Sequence, residues 1–108
     1  MAHKLPEPFG YATATIITTG PDGTVSVRYH RTDVAIRHPD GSVTLRTGGW
    51  LSVTTKRRIN QALRYFGIAA RVYQHRHEWY VAAYGTVAIE FEDGMRIRVN
   101  GRGLEAAA

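Results

Sequence analysis

The chain has 108 residues, 44% of them hydrophobic, no cysteine, and a net charge of +5. That length supports one domain with a single core and leaves no room for two. The lack of cysteine excludes disulfides, thiolate metal sites and cysteine nucleophiles, and it fits a cytoplasmic protein. No apolar run approaches the roughly 18 residues that cross a membrane. The start of the chain shows no apolar signal-peptide core. Residues 104–108 read as a tail left by cloning, so the domain is set at residues 1–103.

The first half alternates strands with tight turns. The residues from Tyr11 to Thr19 are rich in Thr, Ile and aromatic types that favour strands. Pro21, Asp22 and Gly23 supply a turn. Val25, Val27 and Tyr29 then alternate with Ser26, Arg28 and His30, the period of a half-buried strand. Val34 and Ile36 continue the pattern. Pro39, Asp40 and Gly41 lead into Val43 and Leu45, a hairpin signal. Gly48 and Gly49 permit a sharp change of direction before Trp50.

A helical pattern follows over residues 52–63. Ile59, Ala62, Leu63 and Phe66 recur at the spacing of one apolar face. Thr54 or Thr55 is the expected cap, and Gly67 the expected stop. Strands resume from Ile68 to Gln74 and from Glu78 to Tyr84, with His75, Arg76 and His77 as a tight connection. The segment from Thr86 to Glu92 and the alternating Met95, Ile97 and Val99 complete the series. The expected fold is α+β: a mainly antiparallel sheet of about seven or eight strands, curled or split, with one central helix packed on it.

The charge is concentrated. Residues 54–78 hold Lys56, Arg57, Arg58, Arg64, Arg71 and Arg76 against the single acid Glu78, and basic and acidic residues balance elsewhere. Lys56, Arg57 and Arg58 fall where the helix is expected to begin. A helix N-terminus already carries partial positive charge, so cations there are unfavourable unless an anion joins them. Lys56, Arg57 and Arg64, with Asn60 and Gln61, fall away from the apolar stripe. Cations neutralise phosphates, and amides hydrogen-bond base edges or sugar-phosphate oxygens. Thr54 and Thr55 add hydroxyl donors at the helix start, and Trp50 offers a stacking surface. The leading expectation is a binding protein for nucleic acid or another phosphate-bearing ligand, with Trp50, Thr54, Thr55, Lys56, Arg57, Arg58, Asn60, Gln61 and Arg64 as the site. A solvated basic face without a ligand is the competing reading. No zinc-finger spacing, phosphate-binding loop or aromatic RNA-recognition pattern is present, and no cofactor is implied.

The segment Thr47-Gly48-Gly49-Trp50, followed by Thr54-Thr55-Lys56, Arg58, Asn60-Gln61, Arg71 to Gln74 and Glu78 to Val81, resembles a group of small bacteriophage-encoded proteins without an assigned activity. The similarity spans about residues 29–81. It implies a phage or prophage accessory protein acting inside a bacterial cell, and it carries no catalytic assignment.

Two other classes compete. A protein-interaction module would use the basic surface against an acidic host protein, and an exposed edge strand offers a route to homodimers. A small hydrolase would pair His30 with Asp33, with His75 or His77 as a second acid. His75, His77 and Glu78 also have ligand chemistry for a divalent metal, but they fall at an expected hairpin tip and no metal site is assigned. Arg28, Arg37, Arg46, Arg96 and Arg98 lie opposite the apolar positions of their strands and form a possible cationic sheet face.

Overall fold

A computed structural model describes residues 4–83, 87–100 and 103–107. The expected α+β architecture is present. Among the described residues the chain forms nine strands and one helix. The strands are β1 (Thr15–Thr19), β2 (Val25–Tyr29), β3 (Thr32–Arg37), β4 (Val43–Leu45), β5 (Ala70–His75), β6 (Glu78–Ala83), β7 (Ile89–Glu90), β8 (Arg96–Asn100) and β9 (Gly103–Ala106). The helix α1 spans Val53–Tyr65 between β4 and β5.

The sheet is split in two, and all pairings are antiparallel. One sheet has the order β1-β2-β3-β4-β8-β9 and the other β5-β6-β7. The alternation read from the sequence sets the faces: Val25, Val27, Val34, Ala35, Val43, Leu45 and Ile97 of the large sheet are buried. Val72, Trp79 and Val81 do the same for the small sheet, and Ile59, Ala62 and Leu63 face them from the helix. Apart from Val25, these residues join one core, with Phe9 closing it from the N-terminal segment. The first strand is shorter than the stretch from Tyr11, which enters as turns. Leu104, Glu105 and Ala106, set aside as tail, pair in register with Val99, Arg98 and Ile97 of β8. Tyr84 and Thr86, expected at strand ends, lie outside the described residues.

The helix also seals the edge of the small sheet. The Asn60 amide donates to the Val72 carbonyl at 2.8 Å and accepts from the Val72 N–H at 2.7 Å. A side chain thus takes the place of a neighbouring strand and satisfies an edge that would otherwise be open. At the far end, Gly67 adopts φ +73° and its N–H bonds to the Arg64 carbonyl, as expected of a helix stop.

Candidate anion-binding site at the start of the helix

The helix begins earlier than the threonine pair suggests. Ser52 is the cap: its backbone is extended and its hydroxyl accepts from the Thr55 N–H at 3.1 Å. Thr55 is instead buried within the first turn, 2.9 Å from the Ser52 hydroxyl. Lys56, Arg57 and Arg58 therefore open the second turn. The helix dipole acts mainly over the first turn, so the expected penalty for these cations is relaxed. The Val53 and Thr54 N–H groups, by contrast, find no partner among the described residues, as helix geometry requires of the first donors.

The basic run divides. Arg58, expected as a direct site residue, turns inward and is only 6% exposed. Its Nε donates to the Thr15 hydroxyl at 3.0 Å and its Nη1 to the Gln61 amide oxygen at 2.9 Å. Its guanidinium lies 5.5 Å from the Tyr29 ring centre. Burial lowers its pKa from the usual arginine value, Tyr29 opposes that shift, and the Arg57 charge adds to it. Among the described residues no carboxylate forms an ion pair with Arg58. Gln61 also donates to the Pro8 carbonyl at 3.3 Å, so both predicted amides are engaged internally. Lys56 is half-buried, 3.2 Å from the Gln74 amide oxygen and 5.5 Å from the Trp79 ring centre. Arg57 and Arg64 stay exposed on the outer helix face, and Thr54 is half-buried.

The start of the helix meets the β2–β3 turn. Between them lies a cavity of about 690 Å³. Tyr29, His30, Arg31 and Thr32 line it from the turn, Val34 and Thr47 from the sheet side, and Trp50, Ser52 and Thr55 from the helix approach. Its size falls within the ordinary range for ligand sites. Tyr29 and His30 pack ring to ring, with centroids 4.3 Å apart, and His30 has φ +55°.

The loop that carries Trp50 is firmly anchored. Thr47 is buried; its N–H donates to the Asp93 carboxylate at 2.7 Å and its hydroxyl to the same group at 3.3 Å. The Thr47 hydroxyl accepts from the Gly49 N–H at 3.1 Å, and its carbonyl accepts from the Trp50 N–H at 3.1 Å. Gly48 has φ +64°, and a Cβ there would collide with the Thr32 hydroxyl. Only glycine fits. Trp50 nevertheless remains 73% exposed, followed by Leu51 and Val53 at 65% each.

The other sequence candidates disperse. Asp33 accepts from Arg28 Nε at 3.0 Å, so its partner is that arginine rather than His30. Arg76 and His77 form the two-residue tip of the β5–β6 hairpin with φ +50° and +70°, and His75 pairs in register with Glu78. Among the described residues no three histidine or acidic side chains gather in metal-binding geometry. Two arginines of the expected cationic sheet face are taken up at the β3–β4 turn. Asp40 accepts from the Ser42 hydroxyl at 2.6 Å, the Ser42 N–H at 2.9 Å, Arg96 Nη2 at 3.1 Å and Arg98 Nη2 at 2.8 Å. The Ser42 hydroxyl in turn accepts from Arg96 Nε at 2.6 Å.

The sequence placed His30 in a hydrolase pair with Asp33 and did not assign Tyr29, His30, Arg31 or Thr32 to the anion site. The signal available was the break in alternation near Arg31 and Thr32, which marks a turn but not what the turn faces.

A protein-family model, the Kyanoviridae Gp96 protein, matches residues 6–98. The chain belongs to this phage protein family. The match covers the cavity, the helix, the small sheet and the large sheet as far as the first part of β8, and it agrees with the phage resemblance seen in the sequence. No curated protein and no solved structure matches the chain.

Proposed function

We propose that this phage protein binds a phosphate-bearing polyanion, nucleic acid foremost, at the cavity beside the helix start. The observation that carries the reading is Arg58. A buried guanidinium without a carboxylate partner is an uncompensated charge, and such charges are costly. The Tyr29 ring that it faces also lines the cavity. An anion in the cavity would offset part of that charge, and such attraction is stronger where water is partly excluded. Arg31 lines the cavity, no acid does so among the described residues, and the unpartnered Val53 and Thr54 N–H groups add donors nearby. Arg57 and Arg64 extend the positive surface along the outer helix face. Asn60, Gln61, Thr55 and Arg58 then serve as support for the site rather than direct ligands.

The test is binding of labelled single- and double-stranded DNA and RNA at two salt concentrations. Affinity is expected to fall steeply with salt. Arg31→Gln and Arg57→Gln are each expected to weaken binding and reduce the salt slope by about 0.7 to 0.9. Absence of binding at low salt, or equal binding by the double variant, rules the reading out.

One observation favours a second reading. Leu51 and Val53 are exposed aliphatic side chains beside the cavity, and such groups suit a protein surface better than a phosphate backbone. A host protein with an acidic, partly apolar face would meet both features. That reading expects a stoichiometric complex that survives nuclease treatment and is lost in Leu51→Ser/Val53→Ser; an unchanged complex in that variant counts against it. The hydrolase reading gains nothing here, because Asp33 is engaged by Arg28.

A further inference from the structure

The cavity has a property that phosphate neutralisation does not use. Three of its lining side chains are aromatic: Tyr29, His30 and Trp50. The loop holding Trp50 is fixed by Thr47, Asp93 and the close approach of Gly48 to Thr32, yet the indole faces water. An exposed indole contributes little to folding. A loop ordered to hold it in the open is arranged for a flat partner.

We propose that the cavity receives one unstacked nucleobase of a single strand, with Trp50 and the Tyr29–His30 pair as its stacking surfaces. The inference rests on the polyanion reading above and narrows it to a class of ligand. Charge complementarity supports a nucleotide over a neutral aromatic compound: Arg31 lines the cavity, Arg58 lies behind Tyr29, and Asp33, the nearest acid in sequence to the turn, is paired with Arg28. A base in an intact duplex is already stacked and paired, so its entry would require the duplex to open. Stacking tolerates any base, because every base has a π-face. The hydroxyls of Ser52 and Thr55 bond to each other, and that of Thr47 to Asp93, so these three are engaged within the fold. Single-strand preference with weak sequence preference is therefore expected.

The experiment uses the whole chain and five probes: an eight-nucleotide DNA strand, its duplex, an abasic strand of the same length, inorganic tripolyphosphate, and a glutamate-rich peptide with one tryptophan. The base-bearing strand is expected to bind about tenfold tighter, or more, than the abasic strand. The duplex is expected to bind no better than the abasic strand. Trp50→Ala removes this preference and leaves abasic binding unchanged, and Trp50→Phe retains most of it. The protein has two tryptophans, and the other, Trp79, is only 7% exposed. Quenching of intrinsic fluorescence by the strand, lost in Trp50→Ala but retained in Trp79→Phe, locates the base. Equal binding of base-bearing and abasic strands overturns the base site while leaving the polyanion reading intact. Failure of the strands and tripolyphosphate alike overturns both. Tighter binding of the peptide than of the strand replaces the base with a protein segment as occupant.

Discussion

Two polar corners of this molecule are built from similar residues and end in opposite states. At the β3–β4 turn, Asp40 and Ser42 engage Arg96 and Arg98 in a network whose members bond mainly to each other. Arg98 Nε is the one buried side-chain polar atom left without a partner among the described residues. At the 47–55 corner, the anchoring bonds end at Thr47 and Ser52. What lies beyond them is open: an exposed indole, two free backbone donors, and a cavity with an arginine in its lining. The difference is whether a carboxylate meets the arginines. Asp40 holds the arginines of the first corner, whereas the Asp93 carboxylate of the second is taken by Thr47, and Arg58 there has hydroxyl, amide and ring neighbours but no acid among the described residues. Cations consumed by the fold and cations left for a ligand look alike in composition and separate only by their partners.

The largest expected effect tests the closed corner. Ser42→Val removes a buried hydroxyl that both donates to Asp40 and accepts from Arg96, and is expected to cost about 2–3 kcal/mol. Urea unfolding measures it, and a loss under about 0.5 kcal/mol would mean that this corner is not closed in solution. The anchored loop of the open corner comes next. Gly48→Ala forces a side chain into a left-handed backbone and against Thr32, with an expected cost of about 1–2 kcal/mol. Unchanged stability would show a loop free to shift, and the display of Trp50 would lose its meaning.

Acid sensitivity belongs to the closed corner. The Ser42 hydroxyl and N–H, followed by Arg96, hold the Asp40 carboxyl well below its usual range. A depressed folded-state value gives stability that is present above the unfolded carboxylate pKa near 4 and is lost as pH falls below it. His38, 2.7 Å from the Thr44 hydroxyl, has its pKa lowered by burial and then by Arg96. Its contribution begins to fall at a higher pH, below about 6.5. Asp40→Asn should therefore weaken the acid branch, to which Asp22 also contributes through its bonds from Thr24, and keep the one near neutrality, read from melting temperature across pH. The smallest effect on stability belongs to Trp50→Ala, within about 0.5 kcal/mol, because an exposed side chain contributes little to the core. A larger loss would mark Trp50 as structural and remove the main support for a stacking site.

The sequence by itself determined the fold class, the single helix, its apolar stripe and its glycine stop. Those depend on spacing within one element, where period 2 and period 3.6 leave a direct trace. It also located the helix start to within a few residues and singled out Trp50 and the glycine pair. Tertiary structure alone decided which polar residues were spent. Asn60 bonds Val72 across 12 positions, Arg58 reaches Thr15 across 43, and Thr47 reaches Asp93 across 46. A helical wheel assigns a face, but it does not say what lies against that face. For the same reason the β2–β3 turn joined the site unannounced: the register of Tyr29 with Thr15 and Thr32 brings its ring beside the helix, and register over such distances is set by the packing of the whole core.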